Sequence, residues 1–117
     1  MNILVTGGAG FIGSNFTRYW LEHHPGDHAA VLDLLTYAGN RPNLDDVEDR
    51  ISFVQGDIAD FDLVEQVLRS ERIDVIVNFA AESHNSLAVI DPGPFFRTNV
   101  VGTQTLLEAA RSVGIDR

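Results

Sequence analysis

Apolar and polar positions along this chain change period from strand-like to helical and back, and the changes mark out its elements. Met1 to Thr6 (MNILVT) is a short β-branched run that ends at Gly7, the pattern of a strand buried on both faces of a parallel sheet. From Phe11 the spacing turns helical: Ile12, Phe16, Tyr19 and Trp20 fall near one stripe, with Arg18 and Glu22 off it. Phe16, Tyr19 and Trp20 are therefore expected in the core. The helix should stop at His23-His24-Pro25-Gly26, where proline and glycine cannot continue it. Ala29 to Asp33 (AAVLD) reads as a second strand.

Leu34 to Asp49 is loop-like, with Gly39, Asn40, Pro42 and several acids, and one helical turn is expected near Leu44 to Val47. Ile51 to Gln55 is a third strand. Asp60 then caps a helix that turns Phe61, Val64, Val67 and Leu68 inward. Asp74 to Phe79 is a fourth strand. A helical stretch broken at Asp91-Pro92-Gly93-Pro94 leads into a longer helix from about Pro94 to Val113. Strands alternating with helices predict an α/β protein with right-handed crossovers, a doubly wound parallel sheet of strand order 3-2-1-4. Residues 1–117 then form one domain. A fifth strand is expected beyond Arg117, which would leave strand four as an open edge prone to self-association.

Composition narrows the function classes. Apolar residues make up 44% and charged residues 21% of 117, the balance of a globular chain, and no run approaches the roughly 18 apolar residues of a membrane span. With no secretory leader pattern at its start, the chain is expected in the cytoplasm. Cysteine is absent, which removes disulfides, zinc–thiolate sites and thiol nucleophiles. The net charge of −9 argues against nucleic acid as a partner. All eight basic residues are arginine; there is no lysine.

The first turn reads Thr6-Gly7-Gly8-Ala9-Gly10-Phe11-Ile12-Gly13, with glycines spaced for a tight turn, close backbone approach to a pyrophosphate, and helix–strand packing. The helix it opens offers unbonded N–H groups and a positive dipole end to phosphate. An acid, Asp33, ends the second strand about 20 residues beyond Gly13, where it can hydrogen-bond the adenosine ribose hydroxyls. A bare glycine turn plus a surface aspartate is the alternative, and the strand before the motif and the helix after it weigh against it. Leu34 follows Asp33 with no arginine nearby, so NAD is expected rather than NADP, whose 2′-phosphate the carboxylate would repel.

Further candidates lie at the ends of strands three and four. Asp57, in Gly56-Asp57-Ile58, could reach the adenine amino group or merely cap a turn or the next helix. Phe79-Ala80-Ala81 leaves room for the nicotinamide ribose, or is simply tight packing. Glu82, Ser83 and His84 gather polar groups at the carboxyl edge of the sheet, where open α/β sheets bind ligands. Adjacent Ser and His rarely align as nucleophile and base, so no catalytic triad is expected. His23, His24, His28 and Asp27 lie in a Pro-Gly turn away from that edge; solvated surface is expected there, not a metal site. The acids Asp45, Asp46, Glu48 and Asp49 read as a solvated face.

Taken together, the segments ILVTGGAGFIGS (3–14), LTYAGN (35–40), GDI (56–58), FAAESH (79–84) and TNVVGTQTLLEAAR (98–111) resemble the extended short-chain dehydrogenase/reductases, most closely the dTDP-glucose 4,6-dehydratases. The resemblance covers essentially the whole chain and implies a Rossmann-type domain that binds NAD. It implies Gly7, Gly10, Phe11, Ile12 and Gly13 at the pyrophosphate, and Asp33, Leu34, Leu35 and Thr36 at the adenosine ribose. Asp57 and Ile58 would meet the adenine; Phe79, Ala80, Ala81, Ser83 and Thr98 would line the nicotinamide side. Ser83 and His84 would touch a sugar-nucleotide substrate, and Asn99 would brace that face. The parent enzymes it implies are homodimers that convert dTDP-glucose to dTDP-4-keto-6-deoxyglucose by removing hydride from C4, expelling water across C5 and C6, and returning hydride to C6.

Two departures qualify the resemblance. His84-Asn85-Ser86-Leu87-Ala88-Val89 replaces the dehydratases' usual His-Val-Asp-Arg-Ser-Ile, which keeps a UDP-sugar 4-epimerase or a related dehydratase open as parent. The family's Tyr-x-x-x-Lys pair is also missing, since Tyr19 is followed four on by His23 and Tyr37 by Arg41. No residue here is therefore expected to be catalytic. A non-catalytic NAD-binding module is the reading from a different class.

Overall fold

The computed structural model describes residues 1–83 and 85–117. The elements run β1 (Asn2–Thr6), α1 (Phe11–His23), β2 (His28–Asp33), a 3-10 helix (Arg41–Arg50), β3 (Ile51–Gln55), α2 (Phe61–Ser70) and β4 (Val75–Asn78). After β4 come α3 (Asn85–Ile90), α4 (Gly93–Phe95), a π-helical stretch (Phe96–Gly102) and α5 (Thr103–Val113). All strand pairs are parallel and the order is β3-β2-β1-β4, as the crossover rule predicts. Val5 sits at the centre of the register, level with Val31 of β2 and Val77 of β4.

Alternation along β1 and β2 splits the core into two layers. Leu4, Ala30 and Leu32 pack with Val64, Val67 and Leu68 of α2 and Leu106 and Ala109 of α5. Ile3, Val5, Ala29 and Val31 face the other way, onto Leu21 of α1 and Leu44 and Val47 of the 3-10 helix. The Ser112 hydroxyl on α5 donates to Glu65 on α2 at 2.7 Å, and with Arg69 it holds that carboxyl below the usual carboxylate range. Asp60 is the expected N-cap, its Oδ1 accepting from the Leu63 N–H at 3.2 Å.

Three expectations about packing need correction. The sheet-facing side of α1 is Gly13, Ser14, Thr17 and Leu21, with Phe16 and Trp20 only half-buried. Ile12 and Tyr19 are exposed at 64% and 57%. This helix lies close to the strands, so small side chains occupy the contact, and the Thr17 hydroxyl is satisfied by the Gly13 carbonyl at 2.8 Å. Tyr19 instead packs against His23, with ring centroids 4.1 Å apart and the planes tilted by 30°. Phe61, at the first position of α2, is likewise exposed rather than inward.

The third correction concerns residues 41–50, a full 3-10 helix rather than a single turn. Its period of three puts Leu44 and Val47 on the same buried line. Arg18 fastens it by donating to the Asp46 carboxylate and to the Asn43 carbonyl.

The histidines expected at the surface have protein partners. Nδ1 of His23 and of His24 meets the carbonyls of Tyr19 and Trp20, and His28 Nε2 lies 3.1 Å from both Ser52 and Glu71. Asp27 accepts from the Trp20 indole and the Met1 ammonium. Strand β4 is the edge of the sheet, and its Ile76 N–H donates to the Arg117 carbonyl at 3.0 Å. Among the described residues, no helix is long and apolar enough to cross a membrane.

Candidate functional site

All four strands end at one cleft. The connection after β1 contributes Gly7 and Gly10; that after β2 contributes Asp33, Leu34, Thr36, Ala38 and Gly39. The turn after β3 adds Gly56, Asp57 and Ile58, the exit from β4 adds Phe79 to Glu82, and Thr98 reaches in from the π-helical stretch. A parallel sheet delivers every strand's carboxyl end to the same side, which is why residues so far apart in sequence converge.

The glycine turn is shaped by contact with the exit from β4. Gly7 has φ +65, and a Cβ there would stand 2.7 Å from the Ala80 nitrogen, so only glycine meets both demands. The Gly10 N–H closes the turn onto the Gly7 carbonyl at 3.1 Å. Helix α1 begins without a capping side chain, and its first intrahelical bond runs from the Ser14 N–H to the Gly10 carbonyl. The N–H groups of Phe11, Ile12 and Gly13 thus precede the helix's hydrogen-bond ladder, at the positive end of its dipole. The side chains of Phe11 and Ile12 project into solvent, leaving their backbone as what they offer the cleft. Gly13 is buried beneath the turn.

Asp33 is the most constrained polar group of the site. Only 8% exposed, it accepts from the Ala9 N–H through Oδ2 at 2.9 Å and from the Leu35 N–H through Oδ1 at 2.8 Å. One carboxylate therefore pins the glycine turn to the loop after β2 and keeps lone pairs for a ligand. Leu35 carries a left-handed φ of +59, a conformation uncommon outside glycine and held here by that bond. Its side chain packs beneath the loop with the α1-side core, so among Asp33 to Thr36 it alone is absent from the cleft wall. A Cβ on Gly39 would stand 2.7 Å from Asp33 Oδ1, so this glycine makes room for the carboxylate.

Asp57 is already engaged within the protein. Its Oδ1 caps the turn by accepting from the Ala59 N–H, and its Oδ2 accepts from Arg97 Nε, each at 2.8 Å. The turn-capping alternative is thus realised, and the ion pair with Arg97 is one that the strand pattern does not foretell. At the β4 exit, Asn99 grips the backbone of Glu82 on both sides: its Oδ1 accepts from the Glu82 N–H and its Nδ2 donates to the Glu82 carbonyl, both at 2.9 Å. That is the bracing expected of Asn99. Ser83 is exposed just past the cleft wall, and His84 lies outside the described residues.

Leu32, Ala38, Gly39 and Gly56 also belong to the cleft, beyond the residues expected there. Ala38 and Gly39 fall in the LTYAGN segment and Gly56 in GDI, whereas Leu32 carries no signal beyond its place in a strand. The π-helical stretch holding Thr98 and Asn99 is likewise unexpected, because a π turn leaves no mark in a 3.6-residue pattern. Among the described residues, no group of three or more His, Cys, Asp or Glu is placed to hold a metal ion.

A sequence profile of the family described as GDP-mannose 4,6 dehydratase matches residues 4–117. The dTDP-glucose 4,6-dehydratase of Mycobacterium tuberculosis is 55% identical over 115 residues, which is 98% of this chain and 34% of that protein. Among solved structures, the Streptomyces venezuelae dTDP-glucose 4,6-dehydratase DesIV with NAD and TYD bound aligns at TM-score 0.90 and 50% identity, covering 98% of this chain and 37% of that one. The Thermus thermophilus UDP-glucose 4-epimerase in complex with NAD aligns at TM-score 0.88 and 38% identity, covering 99% and 35%. The chain spans about a third of the length of the relatives it matches. The four-stranded parallel sheet, the cleft at its carboxyl edge and these matches agree: the chain belongs to the GDP-mannose 4,6-dehydratase family of short-chain dehydrogenase/reductase-type proteins.

Proposed function

We propose that this chain is the NAD-binding portion of a sugar-nucleotide 4,6-dehydratase that acts on dTDP-glucose. The observation that carries the reading is Asp33, fixed by two backbone amides beside a glycine turn that opens an uncapped helix. The site fits the dinucleotide: the turn is closed to any side chain at Gly7, the first amides of α1 suit a pyrophosphate, and Asp33 suits vicinal ribose hydroxyls. Asp57 and Ile58 would flank the adenine, Phe79 to Ala81 with Ser83 and Thr98 the nicotinamide side, and Ser83 with His84 the sugar nucleotide. NAD, when bound, supplies a hydride acceptor. The residues of this chain hold and orient it, and the close approach of the Phe79 and Ala80 backbone to Gly7 fixes the turn against the exit from β4.

The epimerase alternative shares the fold almost equally, so the TM-scores do not separate the two. Sequence favours the dehydratase, at 50% against 38% identity.

Equilibrium dialysis of the 117-residue chain against NAD tests the binding half of the proposal, with one molecule retained per chain as the expected result. Without any lysine the chain lacks the family's Tyr-x-x-x-Lys pair, and no turnover of dTDP-glucose by the purified chain is expected. Formation of the 4-keto-6-deoxy product by this chain alone would refute the separation of binding from chemistry.

A homodimer is part of the same proposal, as is a cytoplasmic setting. The dimer is supported by the exposed apolar side chains of α3, the π-helical stretch and α5, where Val89, Ile90, Phe96, Val100 and Leu107 are 56–87% exposed. Sedimentation at micromolar concentration should show a dimer for the wild type and a monomer for Leu107→Glu. A wild-type monomer would remove the dimer from the proposal.

A further inference from the structure

We infer that Arg97 is a positioning residue for the adenosine half of the dinucleotide, acting by neutralising Asp57 in an otherwise anionic cleft. The inference rests on the NAD reading above. Asp33, Asp57 and Glu82 all line the cleft, and among its described lining residues there is neither arginine nor lysine. NAD brings a further two negative charges on its pyrophosphate, and the chain as a whole carries −9. Like charges gathered in a cleft oppose an anionic ligand unless something offsets them.

Arg97 offers that offset. It immediately precedes Thr98, which lines the cleft, and its Nε donates to Asp57 Oδ2 at 2.8 Å. The other Asp57 oxygen is held by the Ala59 N–H, so the carboxylate is fixed from both sides at the turn after β3. Between them, the two bonds tie the π-helical stretch to the β3–α2 connection at the point where Ile58 lies against Gly102. Arg97 is more than half exposed and Asp57 largely shielded, so the guanidinium covers the acid from the solvent side. Its effect on a ligand therefore runs through Asp57: it removes the net charge while leaving lone pairs that an adenine amino group can use.

The test is calorimetric titration of the full chain with NAD and, separately, with ADP-ribose, at low and at high salt. Arg97→Ala should weaken both ligands about tenfold at low salt, with the difference shrinking at high salt as screening replaces the lost cation. Arg97→Lys, which keeps the charge, should stay within about threefold of wild type. The decisive arm is the double variant Arg97→Ala with Asp57→Asn. Removing the uncompensated acid should restore most of the lost affinity, which a merely structural clamp would not do. Wild-type affinity in Arg97→Ala, or a double variant no tighter than Arg97→Ala, would overturn the inference. Should Arg97→Ala fail to fold, Arg97→Lys and the double variant still decide it: Lys weaker than wild type by about tenfold or more, or no binding by a folded double variant, counts against the inference. Absence of NAD binding by the wild type would refute the NAD reading and the inference with it, whereas NAD binding by the wild type that is indifferent to Arg97 would overturn the inference alone.

Discussion

Gly13→Ala is expected to be among the most damaging single substitutions in this chain, lowering stability by roughly 3 kcal/mol and abolishing NAD binding. A Cβ at position 13 would stand 2.8 Å from the Gly8 Cα and 2.9 Å from the Gly7 carbonyl carbon. These are backbone atoms of the turn itself, which cannot rotate aside as a flexible side chain would. Relief requires α1 to lift away from β1, and that displaces the amides proposed to meet the pyrophosphate. Thermal unfolding should show a midpoint lower by on the order of 10 °C. Gly26→Ala is the control: nothing lies within 4 Å of a Cβ there, and its midpoint should stay near wild type. A Gly13→Ala chain that melts and binds NAD like wild type would show that the tight contact is dispensable.

Asp33→Ala should weaken NAD binding on the order of a hundredfold, the scale of two hydrogen bonds to a charged acceptor. The same change orphans the Ala9 and Leu35 amides, so a stability loss of about 2 kcal/mol should accompany it. Leu35 is the reason to expect loosening of the loop as well, since its left-handed backbone loses the bond that holds it. Asp33→Asn separates the two effects. Its side-chain carbonyl still accepts from one of the amides while its NH2 faces the other donor, so the chain should lose about half as much stability, roughly 1 kcal/mol, and stay folded while binding NAD weakly. Affinity for NAD unchanged in a folded Asp33→Asn chain would break the link between this carboxylate and the ribose.

The strand order and the position of the cleft are legible in the sequence because β-branched runs ending in glycine or an acid leave few alternatives in a parallel sheet. Asp33 is readable for the same reason: the motif fixes both its distance from Gly13 and its place at a strand end. The buried face of α1 is not. The apolar stripe puts Ile12 and Tyr19 inside, whereas close approach to the sheet selects Gly13, Ser14 and Thr17, whose small size a hydrophobic pattern does not register. The 3-10 helix is easily underestimated because Gly39, Asn40 and Pro42 mark a turn while Leu44 and Val47 follow a period of three. Arg97 is invisible for a different reason. Its partner, Asp57, lies 40 positions away, and only the fold brings the two together. The second role of Asp33, tying the turn to the loop, likewise depends on contacts that no local pattern contains.

If Asp33 and the glycine turn select NAD, calorimetric titration of the wild-type chain with NAD and with NADP in the same buffer will show it. Saturable one-to-one binding of NAD is expected, with at least a roughly tenfold weaker response to NADP, because the 2′-phosphate would be brought against the Asp33 carboxylate. Equal affinity for the two dinucleotides would mean that Asp33 does not set the choice of cofactor.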